Sequence, residues 1–211
     1  MKAGTIVWDY NGTILDDIGI CLEIENEMLR RRGLPDEISM EWYRDHFGFP
    51  VIDYYYRIGY TFASETYEEV SEEFNQLYEE AFPRAGLRQD FLPFIEDACK
   101  KGWQNVIISA SRQDKLVQQC EQLGISGYFS AMVGIDDHMA GSKIDKALAW
   151  QKRTGTRPEK MISIGDTLHD LETAKALGIK KCWLVAGGHQ SRKVLETSGA
   201  EVVDTLSQII L

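Results

Sequence analysis

The chain lacks an apolar run long enough to cross a bilayer, cysteines at metal-type spacing and a basic stripe. Each lack closes off a class of function. Without the apolar run there is no transmembrane helix, and the first residues lead into a strand with no signal-peptide pattern. Cys21, Cys99, Cys120 and Cys182 are scattered, so they read as reduced core thiols of a cytoplasmic protein and not as a metal knuckle or disulfide frame. A formal charge of −10 with no compensating Lys/Arg stripe argues against nucleic acid as a partner. The single basic triplet, Arg30, Arg31 and Arg32, falls at the end of a predicted helix, where cations suit the helix dipole. Internal repeats and low-complexity segments are also missing.

What is present is a globular composition, 44% hydrophobic over 211 residues, enough for one large domain or one domain with an insertion. The apolar run Thr5-Ile6-Val7-Trp8 predicts a buried strand, and Asp9 follows it directly. A helical pattern then runs from about Asp17 to Arg32, with Ile18, Leu22, Ile24, Met28 and Leu29 on one stripe and Gly33 and Pro35 as its stop. Shorter helices are predicted at 39–47 and 51–58, and a longer one at 64–81 whose glutamates form a solvated face. Residues 16 to 84 thus read as helices without a strand.

After a loop-like stretch at 83–87, strands and helices alternate. Strands are predicted at Val106 to Ile108, Ala131 to Val133, Met161 to Ile164, Cys182 to Val185 and Val202 to Val203. Helices are predicted at 90–101, 113–123, 144–153, 169–177 and 191–197. Such alternation implies an α/β fold with a parallel sheet covered on both faces, and the first strand belongs to it. The expected division is a core of residues 1–15 plus 85–211, with 16–84 inserted as a helical unit.

In a parallel sheet the carboxyl ends of the strands share one rim, where ligands gather. Asp9, Ser109, Lys143 and the pair Asp166 and Asp170 all fall on that rim. Clustered carboxylates repel one another, and oxygen ligands with a phosphate suit Mg²⁺, so a divalent cation is expected there. Ser109 offers a hydroxyl to a phosphate oxygen, and Lys143 a compact positive charge beside Asp9. Gly12 permits a turn that aims amides at an anion, and Thr13 adds a donor.

These residues resemble the haloacid dehalogenase-like hydrolases, mostly phosphatases, over essentially the whole chain. Asp9-Tyr10-Asn11-Gly12-Thr13 is similar to the family's first motif, Asp-x-Asp-Gly-Thr, and Val106 to Ser109 to the second. Gly141-Ser142-Lys143 is similar to the third, and Ile164-Gly165-Asp166 through Asp170 to the fourth. The helical insertion corresponds to the cap of phosphoglycolate phosphatase-like members on a Rossmann-like core. The resemblance implies that Asp9 is a nucleophile forming an aspartyl-phosphate. It implies that Mg²⁺ is held by Asp9, the Asn11 backbone carbonyl and Asp166, with Asp170 a further ligand or a supporting partner. Ser109 and Lys143 would grip the phosphate, with Gly12, Thr13 and Ala110 beside it.

One residue departs from the pattern. Asn11 stands where most family phosphatases carry a second Asp, the general acid and base, and an amide cannot donate or take that proton. Three accounts stay open at this point: a substrate with a good leaving group, a substitute such as His46, His169 or His189, or an Asn introduced as a trap. Relatives with Asn here and a similar Gly-Gly-His-Gln-Ser stretch favour a native Asn. Arg112, His189 and the cap residues Arg44, His46 and Arg57 are candidates to touch the substrate. The expected activity is Mg²⁺-dependent hydrolysis of a small phosphorylated metabolite by a monomer or homodimer. A phosphate-ligand sensor or interaction module that lost turnover at Asn11 is the rival from another class, and a dehalogenase, whose chemistry needs no metal, a further one.

Overall fold

The computed structural model describes residues 3–34, 37–136 and 142–211. Pro35 and Gly141, named above, lie outside them. Strand β1 (Gly4–Trp8) is followed by β2 (Leu15–Asp16), helices α1 (Ile18–Arg31), α2 (Met40–His46), α3 (Val51–Arg57) and α4 (Tyr67–Ala81), and β3 (Gly86–Leu87). Then come α5 (Phe91–Lys100), β4 (Trp103–Arg112), α6 (Gln113–Gln122), β5 (Phe129–Ile135), α7 (Ile144–Thr154) and β6 (Met161–Gly165). The chain closes with α8 (Leu168–Ala176), β7 (Cys182–Val185), α9 (Arg192–Glu196) and β8 (Glu201–Val203).

β1, a β-branched and aromatic run, is buried along its whole length and lies in the middle of a parallel sheet ordered β5-β4-β1-β6-β7-β8. Its alternation decides which face each layer covers. Ile6 and Trp8 join the core under α5, α6 and the cap, whereas Val7 joins the core under α7, α8 and α9. Trp8 anchors the first layer through edge contacts with Phe91 and Phe94 at 5.6 and 5.5 Å, and its indole N–H donates to Asn105 at 3.0 Å. The chain moves outward from β1 through β4 to β5, then returns to β6 on the other side of β1. That reversal opens a crevice at the carboxyl end of β1. In register, Trp8 faces Ile107 on one side and Ile164 on the other, which brings the three strand ends together.

Helices α1 to α4 form the cap over this crevice, packed around Tyr43, Tyr54 and Tyr55, all buried. α4 starts with a capping box between Thr66 and Glu69, and Ser39 caps α2, so both start a little later than the sequence pattern suggests. The junction differs from expectation. β2 and β3 pair antiparallel, Leu15 with Leu87 and Asp16 with Gly86, where the approach to the first helix and a loop were expected. Two-residue strands are too short to show a period. β4 also runs to Arg112, past the expected end at Ser109, with a register shift between Ile108 and Arg112.

Cys21, Cys120 and Cys182 are buried and unpaired, but Cys99 is exposed on the outer side of α5, which corrects its expected place in the core. Among the described residues no helix is long and apolar enough to cross a membrane.

Candidate active site

Asp9 follows β1 directly, and its amide donates to the Ile164 carbonyl of β6 at 2.9 Å, so the carboxylate is fixed at the junction of two strands. Asp166 sits one residue beyond β6 and is fully buried. Its Oδ1 accepts from the Thr13 hydroxyl at 2.8 Å and its Oδ2 from the His189 amide at 2.6 Å. The backbone closes tightly around it. A Cβ on Gly12 or Gly188 would lie 2.3 or 2.2 Å from Asp166 Oδ2, and Gly12 also has φ +72°. Glycine at both positions is therefore a packing requirement of Asp166.

Lys143, just before α7, is buried with its ammonium between Asp9 and Asp170, 2.5 Å from Asp170 Oδ1. The other oxygen of Asp170 accepts from the Asp166 amide and from the Thr167 amide and hydroxyl, at 3.1, 2.9 and 2.7 Å. With both oxygens committed, Asp170 is a holder of Lys143 and a cap for α8. Lys143 and these donors keep Asp170 below the usual carboxylate range even though it is buried. Asp9 and Asp166 go the other way. Burial and the neighbouring Asp170 charge push Asp9 well up and Asp166 up to about 7.

One lysine therefore does not neutralise three clustered carboxylates, two of them buried and Asp9 partly exposed. Asp9, Asp166 and Asp170 each offer an oxygen within 4.8 Å of the others, an all-oxygen set that fits a hard divalent cation. Asp17, Cys21 and His189 also converge within that distance. That set is mixed in character, its thiol pushed further toward the neutral form by burial and its Asp17 oxygens already bonded, so it reads as packing.

The side chain of Asn11 is held on every side. Its Nδ2 donates to Asp17 Oδ2 at 2.7 Å and to the Tyr78 hydroxyl at 3.1 Å, and its Oδ1 accepts from the Ser111 hydroxyl at 2.7 Å. Ser111 in turn accepts from Ser109 Oγ at 3.0 Å. Asp17, fully buried, also accepts from the Gly12 amide at 2.9 Å and the Tyr78 hydroxyl at 2.6 Å. Sequence reasoning passed over Asp17 because an Asp just before a helix is ordinary capping chemistry; its side chain caps nothing in α1.

Between the rim and the cap lies a cavity of about 180 Å³ lined by Asp9, Asn11, Ser109, Ala110, Arg112, Lys143, Asp166 and His189, among others. Gly12 and Thr13 are not among its lining, because they are turned toward Asp17 and Asp166. His46 and Arg57 are outside it as well. His46 stacks on Trp42 with ring centroids 4.0 Å apart, and Arg57 donates to the His46 carbonyl at 2.8 Å. His169 stacks on Phe49 of the cap at 4.5 Å and also stays out of the cavity. His189 is the one histidine of the three proposed substitutes that lines it. Burial holds its imidazole below the usual range, and its Nδ1 shares a hydrogen bond with the Tyr43 hydroxyl at 2.7 Å.

The glycine-rich loop carrying His189 also docks the cap. Arg44 donates to the Gly187 and Gly188 carbonyls at 2.9 and 3.0 Å, Gln190 donates to the Phe47 carbonyl at 2.9 Å, and the Ser191 amide bonds the Arg44 carbonyl at 2.9 Å. Arg44 is thereby spent on this contact and does not line the cavity. Arg88, also unforeseen, ties the first loop to this one by donating to the Gly12 and Ala186 carbonyls at 3.1 and 3.2 Å.

Comparison with known proteins gives the family. The sequence profile of the haloacid dehalogenase-like hydrolases matches residues 6–184. A phosphoglycolate phosphatase of Vibrio parahaemolyticus is 22% identical, covering 97% of this chain and 93% of the relative. A GMP/IMP nucleotidase of Escherichia coli is also 22% identical, covering 84% and 81%. A haloacid dehalogenase-like hydrolase from Streptococcus pneumoniae superposes with a TM-score of 0.81 at 18% identity, covering 97% of this chain and 95% of that one.

Proposed function

The chain belongs to the haloacid dehalogenase-like hydrolase family, and we propose that this phosphatase hydrolyses a small phosphorylated metabolite through an aspartyl-phosphate at Asp9. The observation that carries the reading is Asp9 itself, fixed at the end of β1, against Lys143 and facing the cavity. An oxygen of Asp9 attacks phosphorus and the bond to the ester oxygen breaks; water then attacks phosphorus and the bond to Asp9 breaks. Lys143 holds Asp9 in place and carries positive charge toward the transferred group, and Ser109 lines the same rim with its hydroxyl bonded to Ser111.

Mg²⁺ suits the oxygen donors present, and Asp9, Asp166 and the Asn11 backbone carbonyl would hold it. When bound it supplies positive charge against the clustered carboxylates and the phosphoryl oxygens. Asp170 supports that set by orienting Lys143.

Asn11 has no proton to give the departing oxygen. A substrate with a stable leaving group, such as an aryl ester or an acyl phosphate, is therefore the better fit. The cap shields the cavity from water, and the unpaired cysteines suit the cytoplasm. A second reading, a phosphate-ligand binding module, is favoured by one observation, the complete engagement of the Asn11 side chain.

The test is Mg²⁺-dependent phosphate release from aryl, acyl and alkyl phosphates, with Asp9→Ala and a chelator as controls. Release that disappears in both controls supports the phosphatase reading. Release that persists in Asp9→Ala contradicts it, and Mg²⁺-dependent binding without release favours the binding module.

A further inference from the structure

Glu25 is a carboxylate in an unexpected place. It lies on α1, is 4% exposed, lines the cavity, and accepts a hydrogen bond from the Tyr54 hydroxyl at 2.5 Å. Asp17, Cys21 and Glu25 are spaced four residues apart on one face of the segment leading through α1, so Glu25 lies roughly 12 Å along it from Asp17. Asp17 is bonded to three donors and lies outside the cavity lining, whereas Glu25 lines it and is bonded to Tyr54.

The rest of the wall narrows the choice of ligand. Phe47, Phe49, Tyr55 and Phe74 line it, and aromatic faces attract cations. The basic side chains lining the cavity are already matched: Lys143 with Asp9 and Asp170, Arg112 with Asp114, Lys115 with Glu79. A second acidic group on the substrate would meet Glu25 and its aromatic neighbours.

Resting on the reading of Asp9 as the phosphate site, we propose that the cavity takes a phosphate ester whose apolar or aromatic body ends in an ammonium group seated against Glu25. This separates the chain from relatives named for phosphoglycolate, whose organic part is a short carboxylate.

The groups facing Glu25 are Cys21 on α1, Tyr43 on α2, and Tyr54 and Tyr55 on α3, all pushed toward their neutral forms. Burial likewise pushes the Glu25 carboxyl up to about 8. A cation seated beside it favours the ionised form, so binding the ammonium at neutral pH releases a proton.

The experiment compares the phosphate esters of tyramine, para-ethylphenol and para-hydroxyphenylacetate, which share a skeleton and differ in terminal charge. The amine is expected to exceed the carboxylate in kcat/KM by about tenfold or more, as a charge-assisted contact implies. The ratio is expected to fall toward one in Glu25→Gln, which keeps an acceptor for Tyr54. Hydrolysis of all three without preference, or a ratio retained in Glu25→Gln, overturns the proposal and leaves the phosphatase reading intact. Hydrolysis of none counts against the phosphatase reading instead. Calorimetric binding of the three esters to Asp9→Asn, in buffers of differing ionisation heat, reads the same ratio and the released proton without turnover. Equal affinities there, or tighter binding of the carboxylate, overturn the proposal by themselves.

Discussion

Asn11 Nδ2 and Asp17 Oδ2 are joined by a 2.7 Å hydrogen bond at the edge of the crevice. The residue that occupies the general-acid position is therefore locked to a buried carboxylate behind it. Asn11→Asp would set two carboxylates against each other, so one must keep a proton. That proton is the one a leaving alkoxide lacks in the natural chain. The expected outcome is a gain for alkyl phosphates of about tenfold or more relative to aryl phosphates, within the range of general-acid catalysis. A lower melting temperature is expected alongside it, relieved in Asn11→Asp combined with Asp17→Asn. Steady-state rates and thermal unfolding check both.

Lys143 is the only cation bonded to Asp9 and Asp170 among the described residues. Lys143→Met leaves buried carboxylates uncompensated and is expected to cost roughly 3–5 kcal/mol of stability. Added Mg²⁺ should restore part of that loss by mass action, and more in this variant than in the natural chain. Thermal unfolding across a Mg²⁺ titration measures the difference.

Tyr43 and His189 link the cap to the glycine-rich loop. Tyr43→Phe leaves the buried His189 Nδ1 without its partner, at an expected cost of about 1–3 kcal/mol. Amide exchange should quicken from Gly187 to Ser191 while the β1 amides stay protected. Denaturant unfolding and exchange mass spectrometry test this pair of effects.

Glu25 makes stability depend on pH. Its carboxyl is pushed up to about 8 in the fold, against 4.5 for an exposed Glu. Below pH 4.5 both folded and unfolded chains carry the proton and nothing is lost. As pH rises from there toward 8 the unfolded chain ionises while the folded one resists, so stability falls. Glu25→Gln removes this dependence. It is expected to be more stable than the natural chain at pH 8, on the order of a few kcal/mol, with the gain shrinking toward pH 5. Denaturant unfolding at the two pH values gives the comparison.

Asp9 and Asp166 were legible because strand ends in a parallel sheet converge, whereas Ser109 and Lys143 stood out only through the order of the motifs, and β4 in fact continues past Ser109 to Arg112. Asp170 was legible as part of the cluster, but its commitment to Lys143 and Thr167 emerges only from the hydrogen bonds. Asp17 and Glu25 were hidden for a different reason: an acid near or within an amphipathic helix looks like a cap or a solvated face, and only the packing of α2, α3 and α4 shows otherwise. The cap-docking role of His189 depends on a contact 146 residues distant in sequence. His46 and Arg57 matched the expected chemistry, but their helices turn them away from the cavity. The β2 and β3 pair was too short to announce itself.

The most direct test of the account is rapid-quench mass spectrometry during turnover of an aryl phosphate with Mg²⁺. A phosphoryl group on the peptide containing Asp9, formed before free phosphate and lost as turnover ends, is the predicted result. Steady phosphate release with that peptide unmodified, and undiminished in Asp9→Asn, would contradict it.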